Sequence, residues 1–337
     1  MDVNVKAPRR RLTTEGFLAL LVVAILILLY FFAGGTSGFY SVQNIMNVGR
    51  VFSYLFIAGI GMTMIIITGN IDISFGAVIS VIAVTMAAIS KLSPSIPLFV
   101  FLPAGMAVGA ILCGFNAWMM AKFRIPSMVI TLATTQIYYG ALLWMLEGSI
   151  YNLRGNWTWF TFKANLFGGY MPASVLIGLI LLAASVLFFK YSRFVKRLYA
   201  IGNNKRGAVY AGINVDRTLI VAYVIAGALL GFSATILATQ GTRVTCTVGN
   251  NLEMKVIAAV VVGGTSAIGG SGNVYGTALG ALLLAIISPA LTQLGVNTYW
   301  TDLFTGVIIV SAIVVSGIRD IGLIRFRRKA APARVEG

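Results

Sequence analysis

An all-α polytopic membrane protein with about ten transmembrane helices is the fold class that this sequence predicts, and three observations carry the prediction. Of its 337 residues, 58% are hydrophobic and only 10% are charged, a balance that soluble domains do not show. Apolar runs that approach the roughly 20 residues needed to cross a bilayer recur from residue 16 to residue 317. The net charge of +16 is confined to short connections and tails, so it indicates membrane topology rather than nucleic-acid binding.

Ten apolar segments follow one another in a single transmembrane domain over residues 16–317, between basic cytoplasmic tails at residues 1–15 and 318–337. An even number of crossings returns the C-terminus to the cytoplasm, and this topology places 19 of the 25 basic residues inside. The predicted segments are 16–32, 51–68, 77–89, 98–121, 127–146, 172–189, 218–239, 252–262, 273–294 and 300–315.

The connection at residues 190–217 is the most basic internal part of the chain, with seven basic residues against one acid. Residues 199–204 read as a turn and residues 205–213 as one short amphipathic helix. Val209 and Ile213 would share an apolar face, with Lys205 and Arg206 facing away. A solvated positive-inside loop and a helix that docks a partner protein both fit this composition.

Polar side chains inside the apolar segments are candidates for a translocation path or a dimer interface. Asp72 lies between the second and third segments, where a carboxylate at bilayer depth costs about 2.5–3.5 kcal/mol, so it should face protein, water or an interface. It can bond a polar solute or satisfy broken helix ends, and we favour the second role. The fifth segment carries a polar stripe that either bonds helices together or lines a path. The candidates are Asn70, Asp72, Ser74, Asn116, Thr131, Gln136 and Glu253.

Five glycines within residues 263–272 should break any helix there. Backbone of this kind at membrane depth must be buried in protein or line a cavity. It is either a hinge at which two helices pivot or a place where they simply pack closely. The short third and eighth segments occupy matching places in two halves of five, as in an inverted five-plus-five repeat. The hinge candidates are Gly263, Gly264, Gly269, Gly270 and Gly272.

The sequence contains no histidine and two cysteines in different settings. The lack of histidine excludes His-based metal sites and His proton relays, and we expect no structural disulfide. We also expect no metal site and no catalytic residue in this chain.

Four blocks of residues resemble the permease subunits of bacterial ABC importers for ribose and other simple sugars. G-N-I-D-I-S-F-G at 69–76 is similar to the family's G-G-I-D-L-S-V-G. The other blocks are F-N-A at 115–117 with I-P at 125–126 and I-T-L at 130–132, Y-A-I-G-N-N at 199–204 through A-G-I-N-V at 211–215, and L-E at 252–253 through I-A-A-V at 257–260 to Gly272. The resemblance spans roughly residues 45–317, and the chain departs from the family pattern at Asn70, Ala117, Gly207, Ala208 and Lys255.

The resemblance implies a permease subunit of an ATP-driven importer in the bacterial inner membrane, with a fold like that of type II ABC importers and both termini in the cytoplasm. Its expected partners are an ATP-binding cassette ATPase dimer, a second permease copy or paralogue, a periplasmic solute-binding protein and the lipid bilayer. The chain has no phosphate-binding loop, so ATP and Mg would be used by the partner ATPase, and this chain would bind no cofactor. Residues 190–217 would then form the coupling loop. The coupling candidates are Gly202, Asn203, Asn204, Lys205, Arg206, Ala208, Val209, Ala211, Gly212 and Ile213.

A gradient-driven secondary transporter and a passive channel for a small polar solute are the alternatives. A secondary transporter often places several ionisable groups within its spans, and a channel needs no docking helix. Ribose, another pentose or hexose, or a sugar-like signalling molecule such as autoinducer-2 all fit as cargo.

Overall fold

The computed structural model describes residues 14–32, 39–92, 98–146, 151–152, 165–166, 171–240 and 243–295, with short helical pieces between residues 300 and 311. Two antiparallel pairs of two-residue strands accompany the helices: β1 Tyr151–Asn152 with β4 Arg243–Val244, and β2 Asn165–Leu166 with β3 Met171–Pro172. The helices are α1 Thr14–Phe32, α2 Val42–Ile67, α3 Phe75–Leu92, α4 Leu98–Phe123, α5 Ser127–Leu146, α6 Ala173–Tyr191, α7 Arg193–Asn203, α8 Lys205–Tyr210, α9 Val215–Gln240, α10 Leu252–Val262 and α11 Val274–Gln293.

Six of the helices within these ranges, α2, α4, α5, α6, α9 and α11, are long and apolar enough to cross a membrane. The all-α multi-pass membrane class is therefore confirmed. Nine of the ten predicted segments coincide with helices, although α1 and α3 are apolar over shorter stretches and α10 has only 11 residues. The tenth segment, residues 300–315, lies largely outside the described residues. The count of ten crossings stays a prediction.

Polar residues begin several helices by accepting hydrogen bonds from backbone N–H groups that have no partner within the helix. Ser41 Oγ accepts from Asn44 N at the start of α2, and Asn273 Oδ1 accepts from Gly276 N at the start of α11. Ser192 and Asn204 cap α7 and α8 in the same way. These caps fix where the chain turns between apolar segments.

Glycines let two pairs of helices approach backbone to backbone. Gly105 and Gly109 of α4 face Gly231 and Gly227 of α9, and a Cβ at Gly227 would lie 2.7 Å from the carbonyl carbon of Gly109. Lipid removes the hydrophobic drive between helices, so this close van der Waals packing between small residues holds the pair together. We call this contact the α4–α9 seam. A matching α10–α11 seam joins Ala259 and Gly263 to Gly280 and Gly276.

The long helices α2 and α9 pack on each other at the centre of the molecule, and the contacts around them occur in pairs. α4 packs on α9 as α11 packs on α2, and the short α3 packs on α9 as the short α10 packs on α2. These two pairs of contacts, together with the packing of α3 on α4 and of α10 on α11, match between the two halves of the chain.

The prediction of a turn at residues 199–204 is wrong, because α7 continues through Asn203. Val195, Leu198 and Ile201 recur at helical spacing and are all buried, which gives α7 an apolar face that a turn would not have. The predicted helix at residues 205–213 is also shorter than expected. α8 ends at Tyr210, and Gly212 adopts a φ of +77° that ends the helical path.

Candidate functional site

The first candidate site is an exposed surface on α8 and the turn after it, formed by Lys205, Arg206, Val209, Tyr210 and Gly212, which we call the α8 surface. Lys205 and Arg206 are exposed, and the Val209 and Tyr210 side chains are 56% and 91% exposed. Apolar and aromatic side chains displayed among basic ones are typical of an interaction surface. Asn204, also exposed, caps α8.

The remaining coupling candidates on α8 and its turn divide between the inside and the outside of the protein. Ala208 is buried in a small cluster with Ile201 and Val215, and Ile213 packs against that cluster, while Ala211 is exposed. The prediction that Val209 and Ile213 share an outward apolar face is therefore wrong. Val209 lies one helical turn after Lys205, so these two side chains share a face instead.

Tyr210 is the member of the α8 surface that the sequence reasoning missed. The available signal was an aromatic residue next to small alanines and glycines in a basic segment.

The second candidate site is the junction between α7 and residues 263–272. We call residues 263–272 the glycine loop. Tyr199 Oη donates a hydrogen bond to the Gly272 carbonyl oxygen at 2.5 Å, and Asn203 Nδ2 donates to the Gly270 carbonyl oxygen at 3.0 Å. A Cβ at Gly202 would lie 2.5 Å from Gly270 N, so only glycine lets α7 lie this close. Two coupling candidates, Gly202 and Asn203, therefore face the protein's own glycine loop.

The predicted break in the helix at residues 263–272 is confirmed, since α10 ends at Val262 and α11 begins at Val274. Gly264, Gly269 and Gly270 have φ values of +91°, +95° and +78°, which favour glycine over other residues. Gly263 instead continues the helical path with a φ of −60° and lies in the α10–α11 seam. Pivoting at this loop stays a prediction.

The third candidate site is a buried polar network around the break between α2 and α3. Asp72 Oδ1 accepts hydrogen bonds from Ser74 N at 2.8 Å and Ser74 Oγ at 2.6 Å. Asn116 Nδ2 of α4 donates to Ser74 Oγ at 2.8 Å, and Tyr138 of α5 reaches Asn116 Oδ1 at 3.4 Å. Asp72, Ser74 and Asn116 are all fully buried. This geometry satisfies a broken helix end and joins three helices.

The structure does not bring the other four path candidates into this network. Asn70 donates to Thr68 Oγ1 at 2.9 Å, and Thr131 is buried on α5. Gln136 is exposed on the outer face of α5. Glu253 is buried in the first turn of α10, where its carboxylate lies against Gly76 in the first turn of α3. The short helices α3 and α10 therefore meet at their N-terminal ends.

Replacing Asp72 tests the structural role of this network. Asp72→Ala leaves the N–H and O–H of Ser74 without their acceptor, and hydrogen bonds to a charged group contribute about 1.5–3 kcal/mol each. We expect a clear loss of thermal stability in detergent for Asp72→Ala, whereas Asp72→Asn keeps Oδ1 and retains most of the wild-type stability. If both variants unfold at the wild-type temperature yet fail to transport, Asp72 contacts the solute instead.

Comparison with known proteins identifies the family of the chain. A family model described as "Branched-chain amino acid transport system / permease component" matches residues 44–313. Ribose import permease protein RbsC of Haemophilus influenzae is 31% identical over 92% of this chain and 95% of its own length. Autoinducer 2 import system permease protein LsrC of Salmonella typhi is 30% identical over 94% of this chain and 90% of its own length.

A third relative, the probable ABC transporter permease protein YphD of Escherichia coli, is 33% identical over 87% of each chain. No solved structure matches this chain. The family match covers most of the sequence and agrees with a multi-pass helical fold. The chain therefore belongs to the family of permease components of branched-chain amino acid-type transport systems.

Proposed function

We propose that this chain is the membrane-spanning permease subunit of an ATP-driven importer and forms the translocation path for a sugar or sugar-like small solute. The relatives named for ribose and for autoinducer 2 support this cargo class, since they align over nearly the whole chain. The α8 surface carries the proposal, because a multi-pass membrane protein that exposes Tyr210 beside two basic residues presents a docking surface for another protein. The chain is a transport subunit and not an enzyme.

An ATP-binding cassette ATPase dimer occupies the α8 surface in this proposal. Reversing a conformational ratio from 1:99 to 99:1 takes about 5.5 kcal/mol. Binding and hydrolysis of ATP, with Mg, by the partner supply this free energy, since this sequence has no phosphate-binding loop. A second permease copy or paralogue and a periplasmic solute-binding protein complete the importer. The chain lies in the bacterial inner membrane with both termini in the cytoplasm, as the distribution of basic residues indicates.

An inverted five-plus-five repeat, as in type II ABC importers, is part of the same proposal. The paired contacts around α2 and α9 support it, because α3 and α4 pack on α9 as α10 and α11 pack on α2. The N-terminal ends of the two short helices also meet, at Gly76 and Glu253. Broken helices that meet near the midplane usually mark the site through which the solute passes.

A tryptophan at Gly212 tests the docking surface. A Cβ at this position meets nothing within 4 Å, so the indole would project outward without clashing inside the chain. We expect Gly212→Trp to abolish transport while membrane insertion is retained, because the bulky side chain separates α8 from the ATPase.

Gly295→Trp is the matched control for this variant. Gly295 also has a positive φ, +73°, and open space around its Cβ position, but it follows α11 at the opposite side of the membrane in the proposed topology. Both variants therefore share the same backbone strain and added bulk. Wild-type transport by Gly212→Trp would refute the docking assignment.

Purification of the native complex in mild detergent separates the importer from its alternatives. Recovery of an ATP-binding cassette protein with this chain, identified by mass spectrometry, supports the importer. A chain that purifies alone and moves solute in vesicles without ATP is a secondary transporter or a channel.

A further inference from the structure

We propose that Tyr199 and Asn203 are positioning residues that carry motion of α7 to the glycine loop and from there to the helices of the translocation path. This inference rests on the proposed function, because it describes how the docked ATPase moves the permease. It assigns to Asn203 a task inside the membrane subunit rather than contact with the partner.

The first step is the way α7 holds the loop. Gly269, Gly270 and Gly272 offer no side chains, so at these three positions α7 can hold the loop only through its backbone groups. Tyr199 Oη donates to the carbonyl oxygen of Gly272, and Asn203 Nδ2 donates to the carbonyl oxygen of Gly270. Burial raises the pKa of the Tyr199 phenol, so this group stays a hydrogen-bond donor at physiological pH.

The second step is a hydrogen bond within α7 that fixes the Asn203 side chain. Asn203 Nδ2 also donates to the backbone oxygen of Tyr199 at 2.9 Å, one turn earlier in the same helix. This bond holds the amide against the helix while it bonds to the loop. The two side chains therefore act from one rigid surface, one helical turn apart.

The third step is the compactness of the loop. Ser266 N donates to the Ser271 carbonyl oxygen at 3.0 Å, which closes the loop on itself, and Gly270 N donates to the Ile67 carbonyl oxygen at the end of α2 at 2.8 Å. Asn273, which caps α11, also donates to Glu15 of α1. A pull on two of its carbonyl groups therefore displaces the closed loop together with the groups of α2 and α1 that are bonded to it and to Asn273.

The fourth step is the route from the loop to the centre of the permease. The loop joins α10 to α11, and the α10–α11 seam makes these helices move together. At the other end of α10, Glu253 lies against Gly76, and Gly249 N donates to Ser80 Oγ of α3 at 2.9 Å. Motion of α7 therefore reaches the contact between the two short helices through an unbroken series of packed and hydrogen-bonded groups.

The test uses the permease in complex with its ATPase and a reporter cysteine at the start of α10. Met254 is 47% exposed, and native Cys113 and Cys246 are both buried, so Met254→Cys is the main maleimide-reactive thiol in the described part of the chain. The labelling rate is measured with and without ATP, and ATP hydrolysis is measured in the same preparation. No cargo is needed.

Tyr199→Phe and Asn203→Ala are introduced singly and together, and each removes the donor that reaches the loop. We expect ATP to change the labelling rate about fivefold or more in the parent complex, as for a typical coupling free energy. In the double variant this response is lost, while ATP hydrolysis continues. Tyr275→Phe is the control, because the Tyr275 side chain is exposed on α11 and its hydroxyl makes no hydrogen bond with the described residues.

The outcomes separate this inference from the proposed function. Failure of the parent chain to bind an ATPase overturns the proposed function and this inference with it. A parent complex that hydrolyses ATP without changing the labelling rate, or a double variant that responds like the parent, overturns the inference alone. A double variant that loses both hydrolysis and the complex shows a structural role for the two side chains and also overturns the inference.

Discussion

Gly227→Ala is expected to lower the yield of folded permease, although it adds a single methyl group. The new Cβ would lie 2.7 Å from the backbone carbon of Gly109 and 2.8 Å from the Cβ of Cys113, and none of these atoms can rotate away. α4 and α9 must separate to make room. Overpacking of this kind costs about 1–3 kcal/mol, and each 1.4 kcal/mol shifts the folding equilibrium tenfold.

Gly140→Ala is the matched control, since Gly140 lies within α5 and its Cβ position meets nothing within 4 Å. Alanine is a better helix former than glycine by roughly 0.5–1 kcal/mol, so this variant should equal or exceed the wild type in stability. The opposite signs of the two effects are checked by size-exclusion chromatography and thermal unfolding in detergent. Equal stability of the two variants would mean that the α4–α9 seam is looser than described.

Gly202→Ala is expected to reduce transport by about tenfold while the chain still assembles with its ATPase. The added Cβ would lie 2.5 Å from Gly270 N and even closer to the carbonyl oxygen of Ile67, both of which are backbone atoms. α7 must move away from the glycine loop, and a cost of about 1.4 kcal/mol corresponds to the tenfold loss. The α8 surface is unchanged, so docking is retained. Uptake in cells and co-purification measure the two properties separately.

Gly207→Ala is the control for Gly202→Ala, because the atoms nearest to a Cβ at Gly207 belong to the side chain of Asn204, the first at 3.2 Å. Alanine at this position also restores the residue usual in the family that the sequence resembles. Transport by Gly202→Ala at the level of Gly207→Ala would show that α7 need not lie against the loop.

Apolar runs predicted most helices of this fold, since a membrane segment must satisfy its backbone internally over its whole length. α7 was missed because its outer face is basic and its last residues, Gly202-Asn203, continue into Asn204 in a pattern that is typical of a turn. The buried positions Val195, Leu198 and Ile201 were present at helical spacing, and they decide the structure through packing on the rest of the protein.

The sequence predicted those parts of the candidate sites whose residues lie close together in the chain. Asp72 and Ser74 lie two residues apart, and their hydrogen bonds follow from the short polar side chains at a helix start. Their partner Asn116 lies on α4, and the residues that Tyr199 and Asn203 contact lie beyond α9. A local sequence pattern does not indicate which distant residues will come into contact, so these contacts could be identified only from the structure.

The α4–α9 seam also has a consequence for biogenesis. Gly109 and Gly227 are 118 positions apart in the sequence, so α4 leaves the ribosome well before the helix that covers its glycine face. At about 5–20 residues per second, that interval is roughly 6–24 s. During this time the glycine face of α4 has no seam partner, and the helix must be kept in the bilayer until α9 is synthesised.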